Sequence, residues 1–191
     1  MHRRRLIANC LAVPVLATPI LGMTMSEASA APADLENTLY LDLKDGRVVI
    51  QLLPELAPKH VARVKELARQ GFYDGIVFHR VIEGFMAQSG DPTGTGSGGS
   101  KLGNLPAEFT REKHYLRGTV GAARTQDPNS ANSQFFIMFA PAPSLDGQYT
   151  IWGQVISGME FVDKIKRGAP GSGSVTNPDK IIHMQVAADV K

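Results

Sequence analysis

The chain has 191 residues, 20 Lys and Arg against 18 Asp and Glu, and 43% apolar residues, with 19 Gly, 12 Pro and a single Cys. That is the length of one domain with a core of its own, and the composition excludes a disordered charged tail. The formal charge of +2 includes Arg3, Arg4 and Arg5. Without residues 1–30, which also hold Glu27, 17 basic residues face 17 acidic ones. A neutral body carries no electrostatic footprint for nucleic acid.

The first thirty residues have the features of an export signal. A basic start (Met1 to Arg5) leads into an apolar stretch, and Ala28-Ser29-Ala30 supplies the small-x-small pattern a signal peptidase cleaves. Asn9, Pro14 and Pro19 interrupt that stretch, and no basic stop-transfer cluster follows, which disfavours a membrane anchor. Cleavage after Ala30 removes Cys10 and leaves a chain without cysteine, hence without disulfides or thiol chemistry. The expected location is outside the cytoplasm, in a bacterial periplasm.

Residues 31–37 read as a short polar linker, and the remaining residues, 38–191, as the domain. Leu39, Leu41 and Leu43 alternate with Tyr40 and Asp42, and Lys44-Asp45-Gly46 is a turn, so residues 38–53 predict a β-hairpin. Pro58 opens a helix in which Val61, Val64, Leu67 and Ala68 recur at helical spacing, and Gly71 is placed to end it. Short strands are expected at residues 77–82, 85–89, 118–123, 134–139 and 150–156. Residues 90–106 are a Gly/Ser/Thr loop. Ser157 and Glu160 form a capping-box pattern that predicts a second helix to about Lys166, and residues 180–190 predict a last strand. Many short strands with two helices indicate an antiparallel β barrel or sandwich.

Several kinds of chemistry are excluded. Gly94-Thr95-Gly96-Ser97-Gly98-Gly99 fits GxGxxG by letter, but it lacks the strand-to-helix setting and no Gly-Lys-Ser/Thr follows. His60, His79, His114 and His183 are too scattered for a metal site, and no GxSxG elbow is present. No cofactor is indicated.

What stands out is Phe78-His79-Arg80-Val81-Ile82, a strand with an arginine in it. Alternation puts Arg80 on the face of Phe78 and Ile82, and an unpartnered buried charge is costly. Arg80 must therefore pair with an acid or line a pocket. In the segment from Gln134 to Phe139, Gln134, Phe136 and Met138 share one face while Phe135, Ile137 and Phe139 share the other. Met86 and Gln88 likewise share a face.

Together, FHRVIEGFMAQSGD, the GTGSGGS that follows and NSQFFIMFAPAPSLDG resemble the cyclophilins, the peptidyl-prolyl cis–trans isomerases, and the resemblance runs over residues 38–190. It implies a mainly β fold: a closed eight-stranded antiparallel β-barrel capped by two helices. It implies Arg80 as the catalytic donor to the prolyl nitrogen, oriented by Gln88. Phe85, Met86, Phe136 and Leu145 match the apolar pocket for the proline ring, Gln134 a substrate-contacting amide, and Gly96 the neighbouring groove. Arg124 and Thr125 fall where main-chain groups bind the residue before proline. Tyr149 replaces a histidine near the pocket, Ser144 a tryptophan, and Glu83 a proline, while Trp152 aligns with a core position. Loss of that tryptophan implies weak binding of cyclosporin. The expected partners are proline-containing polypeptides, and a monomer is expected. The alternatives are a non-catalytic proline-binding module and a holdase.

Overall fold

The computed structural model describes residues 34–190, so the expected signal peptide and Cys10 lie outside the described residues. Eight strands form one sheet: β1 (Thr38–Leu43), β2 (Gly46–Leu52), β3 (Arg80–Ile82), β4 (Met86–Ser89), β5 (Thr119–Ala122), β6 (Phe135–Met138), β7 (Ile151–Ser157) and β8 (His183–Val186). They pair antiparallel throughout, in the order β3-β4-β6-β5-β7-β2-β1-β8. Two helices join them, α1 (Pro58–Arg69) and α2 (Met159–Val162).

The expected closed barrel is corrected. The end strands β3 and β8 form no ladder with each other, and the sheet is an open half-barrel. The segment between α2 and β8 bridges the gap instead. The Val81 amide donates to the Gly173 carbonyl at 2.7 Å, the Phe78 amide to Asp179 at 2.9 Å, and Val77 pairs with Lys180 in an isolated bridge. These glycines are needed there: a Cβ on Gly168 would collide with the Gly173 carbonyl, and one on Gly173 with Ile82.

Helix α1 forms as expected. Pro58 occupies its first turn, and it ends in a Schellman motif: the Gly71 amide donates to Ala68 and the Phe72 amide to Leu67, with Gly71 at φ +64°. Its N-terminus lacks a local cap, because Ala57 has no side-chain acceptor. Glu108 fills the role from 48 residues away, accepting from the amides of Lys59 and His60 and lying 2.7 Å from His60 Nδ1. Burial holds the His60 imidazole below its ordinary value against the opposing pull of Glu108.

Three further expectations are corrected. The second helix does not reach Lys166, because Ser157 is spent as the last residue of β7, opposite Val49. Gly158 takes the cap position in the left-handed region, so the Ser157–Glu160 box never forms. The last strand stops at Val186 and turns into a single 3-10 turn over Ala187–Asp189. Phe78 does not share a face with Arg80, since β3 begins only at Arg80; Phe78 is fully buried in the main core.

That core lies inside the sheet and under α1. Leu39, Leu41, Ile50, Val120 and Ile137 are inaccessible to solvent. Trp152 stands in it too, edge-on to Phe135 at 5.9 Å between ring centres, which fits its expected core position. A second, smaller apolar cluster of Met86, Tyr115, Phe136, Met138 and Ile151 lies on the other side of the sheet. Strand β6 divides them: Phe135 and Ile137, with Phe139 just beyond the strand, face the main core, while Phe136 and Met138 face the second cluster.

Candidate active site

The second cluster forms the floor of a pocket of about 200 Å³, lined by Arg80, Phe85, Met86, Gln88, Ala123, Arg124, Phe136, Leu145 and Tyr149. Register explains the convergence. Arg80 on β3 stands opposite Gln88 on β4, which stands opposite Phe136 on β6. The three side chains therefore emerge in a row on one face of the sheet. Tyr149 meets Phe136 edge-on at 5.9 Å, and Leu145 reaches the rim from a 3-10 turn over Pro143–Leu145. Ser144, exposed in that turn, adds nothing to the lining.

Arg80 answers the choice left open by the sequence. Its Nε donates to the Ser172 carbonyl at 3.2 Å and a terminal nitrogen to Gln88 Oε1 at 3.3 Å. Neither acceptor is a carboxylate, so the guanidinium is not half of an ion pair; it lines the pocket. The chain of contacts continues. Gln88 Nε2 donates to Gln134 Oε1 at 2.9 Å, and Gln134 Nε2 donates to the carbonyls of Gly96 and Gly98 at 3.0 and 2.8 Å. An amide both donates and accepts, so two glutamines in series transmit one fixed orientation from the loop to the arginine.

The loop itself is held by Asp91, a residue that reading the sequence missed. Its buried carboxylate accepts from the amides of Thr93 (2.8 Å), Gly96 (2.6 Å) and Gly98 (3.1 Å) and from the Thr93 hydroxyl (2.8 Å). Burial pushes this acid up, but those donors outweigh it and bring it down to about 2. The GxGxxG letters are thus a nest of backbone amides already filled by a carboxylate from the same chain. The one signal available was an Asp placed three residues before the glycine run.

Gly96, Thr125 and Gln134 border a second, polar groove of about 490 Å³, which shares Gln88, Ala123 and Arg124 with the apolar pocket. All the expected site residues therefore line one of two adjoining depressions. Thr125 is only partly available: its amide donates to Ser130 Oγ at 2.9 Å, and its carbonyl accepts from Arg124 at 2.8 Å. Ala123 and Tyr115 were also missed. Tyr115 stacks under Phe136 at 5.6 Å, and Gly121 leaves room for its ring. Among the described residues no cluster of three or more His, Cys, Asp or Glu is disposed to hold a metal. No described helix is long and apolar enough to cross a membrane.

Comparison with known proteins gives a consistent result. The model of the family described as cyclophilin-type peptidyl-prolyl cis-trans isomerase matches residues 38–186. A protein of Brucella suis named probable peptidyl-prolyl cis-trans isomerase is 55% identical over 175 residues, 85% of this chain and 89% of its own. An Arabidopsis thaliana peptidyl-prolyl cis-trans isomerase is 37% identical over 158 residues, 81% of this chain and 93% of its own. The crystal structure of a Hirschia baltica cyclophilin superposes with a TM-score of 0.75 at 28% identity, covering 83% of this chain and 76% of that one. A Cryptosporidium parvum cyclophilin-type isomerase, crystallised in the presence of the dipeptide Ala-Pro, superposes with a TM-score of 0.73 at 30% identity. It covers 78% of this chain and 98% of that one.

Proposed function

We propose that this chain, which belongs to the cyclophilin-type peptidyl-prolyl cis–trans isomerase family, turns X–Pro bonds by clamping the proline ring over Phe136 while Arg80 donates to the prolyl nitrogen. Isomerisation of X–Pro bonds is the activity of the family; the residue roles are our reading of this site. The observation that carries it is a guanidinium without a carboxylate partner, held at the edge of an apolar pocket by Ser172 and Gln88.

The barrier to be lowered is about 18–20 kcal/mol, because rotation breaks amide resonance. At the top of that barrier the nitrogen is pyramidal and its lone pair is free to accept a hydrogen bond, whereas the planar amide offers it poorly. A donor at that point stabilises the twisted state over both ground states, which is what accelerates rotation. Each tenfold gain takes about 1.4 kcal/mol. Gln88 and Gln134 keep the guanidinium from swinging away, and Phe85, Met86, Leu145 and Tyr149 keep water from the ring. No bond is broken, so neither a nucleophile nor a metal is needed.

The test is isomerisation of an Ala-Pro-Phe reporter by residues 31–191 beside Arg80→Ala. Loss of a well-placed charged donor costs about 10²–10³ in rate. If wild type and variant are equally slow while both bind the peptide, the protein is a proline-recognition module and not a working isomerase. In the same assay the absence of a tryptophan before Leu145 supports weak inhibition by cyclosporin, and tight inhibition would contradict that.

The basic start, apolar stretch and Ala28-Ser29-Ala30 site support a cleaved signal peptide and work on exported polypeptides in a periplasm. The mass of the protein recovered from the periplasm should correspond to a chain that starts at Ala31; a retained residue 1–30 segment would overturn the signal.

A further inference from the structure

Arg124 stands at the seam of the two depressions and lines both, together with Gln88 and Ala123. It is fixed there. Its Nε and one terminal nitrogen donate to the Gln148 carbonyl at 3.1 and 2.8 Å, and the other terminal nitrogen donates to the carbonyls of Thr125 and Gln126 at 2.8 and 3.3 Å. The guanidinium also lies over the Tyr149 ring, 4.4 Å from its centre. Of the five N–H groups a guanidinium has, four are used and one remains.

All of those acceptors are neutral, so the charge of Arg124 is left uncompensated. The same holds for Arg80 on the opposite rim, whose acceptors are a carbonyl and an amide. Among the described residues no carboxylate lines either depression. Two acids on the loops that flank Arg124 bond to other groups. Asp127 accepts from the Asn129 amide, and Asp146 accepts from the Tyr115 amide beside His114. Outside the first thirty residues the chain is electrically balanced, so this is a local placement of charge and not a consequence of the total.

A peptide with its proline ring in the apolar pocket and its preceding residue toward the polar groove must cross the Gln88–Ala123–Arg124 seam. We propose that Arg124 selects substrates by charge: X–Pro bonds with an acidic residue immediately before proline are turned over faster than those with a basic one. Because the guanidinium is already immobilised, pairing with a carboxylate costs little further ordering. Like charge at the same position is repelled. The inference rests on the assignment of the apolar pocket to the proline ring.

The experiment compares acetylated, amidated Ala-Xaa-Pro-Phe peptides with Xaa Ala, Glu, Gln or Lys, each followed by exchange spectroscopy at about 20 mM salt. An exposed pair is worth up to a fewfold in either direction, so Glu should exceed Lys in kcat/KM by about fivefold, with Gln between. At about 1 M salt the ratio should approach one. Arg124→Gln should bring the ratio within twofold, and Arg124→Lys should keep most of it although the stacking on Tyr149 is lost. The Glu-to-Lys ratio is internal to each variant, so any general loss from loosening the loops cancels. A wild-type ratio within twofold at low salt, or a ratio that survives in Arg124→Gln, overturns the proposal while leaving the isomerase intact. Failure to turn over even the Ala peptide would instead sink the pocket assignment, and the proposal with it.

Discussion

Phe135 and Phe136 are neighbours in strand β6, yet they belong to different economies of the molecule. Phe135 is surrounded edge-on by Tyr73 at 5.7 Å and Trp152 at 5.9 Å inside the sheet. Phe136 has a phenol stacked beneath it, an edge-on tyrosine beside it and a solvent-facing pocket above. The side chains on one face of the strand have only apolar company; those on the other alternate with an amide chain that ends at a guanidinium. A two-residue period is enough to keep folding and chemistry apart in one four-residue strand.

The sharpest way to break that separation is to truncate each ring. Phe136→Ala removes the pocket floor, and kcat/KM should fall roughly 10–100-fold from the lost apolar contact alone. Phe135→Ala should cost about 3–5 kcal/mol in unfolding free energy, with activity per folded molecule within a fewfold of wild type. Both are read from a denaturant titration alongside the peptide assay. If the two variants lose activity per folded molecule alike, the faces are not independent.

A smaller effect is expected from Gln134→Ala, which cuts the link between the glycine loop and Gln88. The site keeps its donor but no longer aims it, so kcat should drop about tenfold with stability changed by only about 1 kcal/mol. An unchanged kcat would mean that Gln88 is positioned by Arg80 alone.

Much of this was legible in the sequence, and the parts that were not share a cause. The hairpin, α1 and the division of faces on β6 follow from local pattern, because the residues that decide them are within a few positions of one another. Pro58 and Gly71 bracket α1 for the same reason. The Glu108 cap could not be foreseen, since the side chain that satisfies the helix comes from a distant loop. The Ser157–Glu160 box failed because pairing with Val49 claimed Ser157 first. Phe78 and Arg80 were assigned one face on the assumption of a continuous strand, and the ladder begins only at Arg80. Closure of the barrel was carried by resemblance alone, and β3 and β8 leave that gap to a glycine-bearing segment. The residues that line the two depressions were picked out because the motifs are long, while Asp91 was passed over because most of its partners are backbone amides, which carry no letter.

The smallest predicted effect concerns pH and again separates the faces. His60 is held below its ordinary value by burial. Glu108 is pushed up by burial but brought below its ordinary value by His60 and the helix amides. Both folded values are depressed, so their stabilisation is complete above the unfolded values of 6.5 and 4.5 and is lost as pH falls through the folded ones. Unfolding free energy should therefore decline as pH falls below about 6.5; in Glu108→Gln the further loss below about pH 4.5 should vanish while the His60 step deepens, because no carboxylate then pulls the imidazole up. Activity per folded molecule, which depends on glutamine amides with no proton to gain, should stay level over the same span. A rate that tracks the stability curve would tie the α1 terminus to the pocket.

The carboxylate of Asp91 has one consequence beyond holding its loop. A run of glycine amides turned inward is the natural receptor for phosphate, and cells and their surroundings are full of phosphorylated molecules. By supplying the anion covalently, the chain has in effect delivered the ligand and receptor as a single purchase: the seat is taken at synthesis and at every phosphate concentration. The loop beside the groove then has no open nest of amides left to offer a nucleotide or a sugar phosphate.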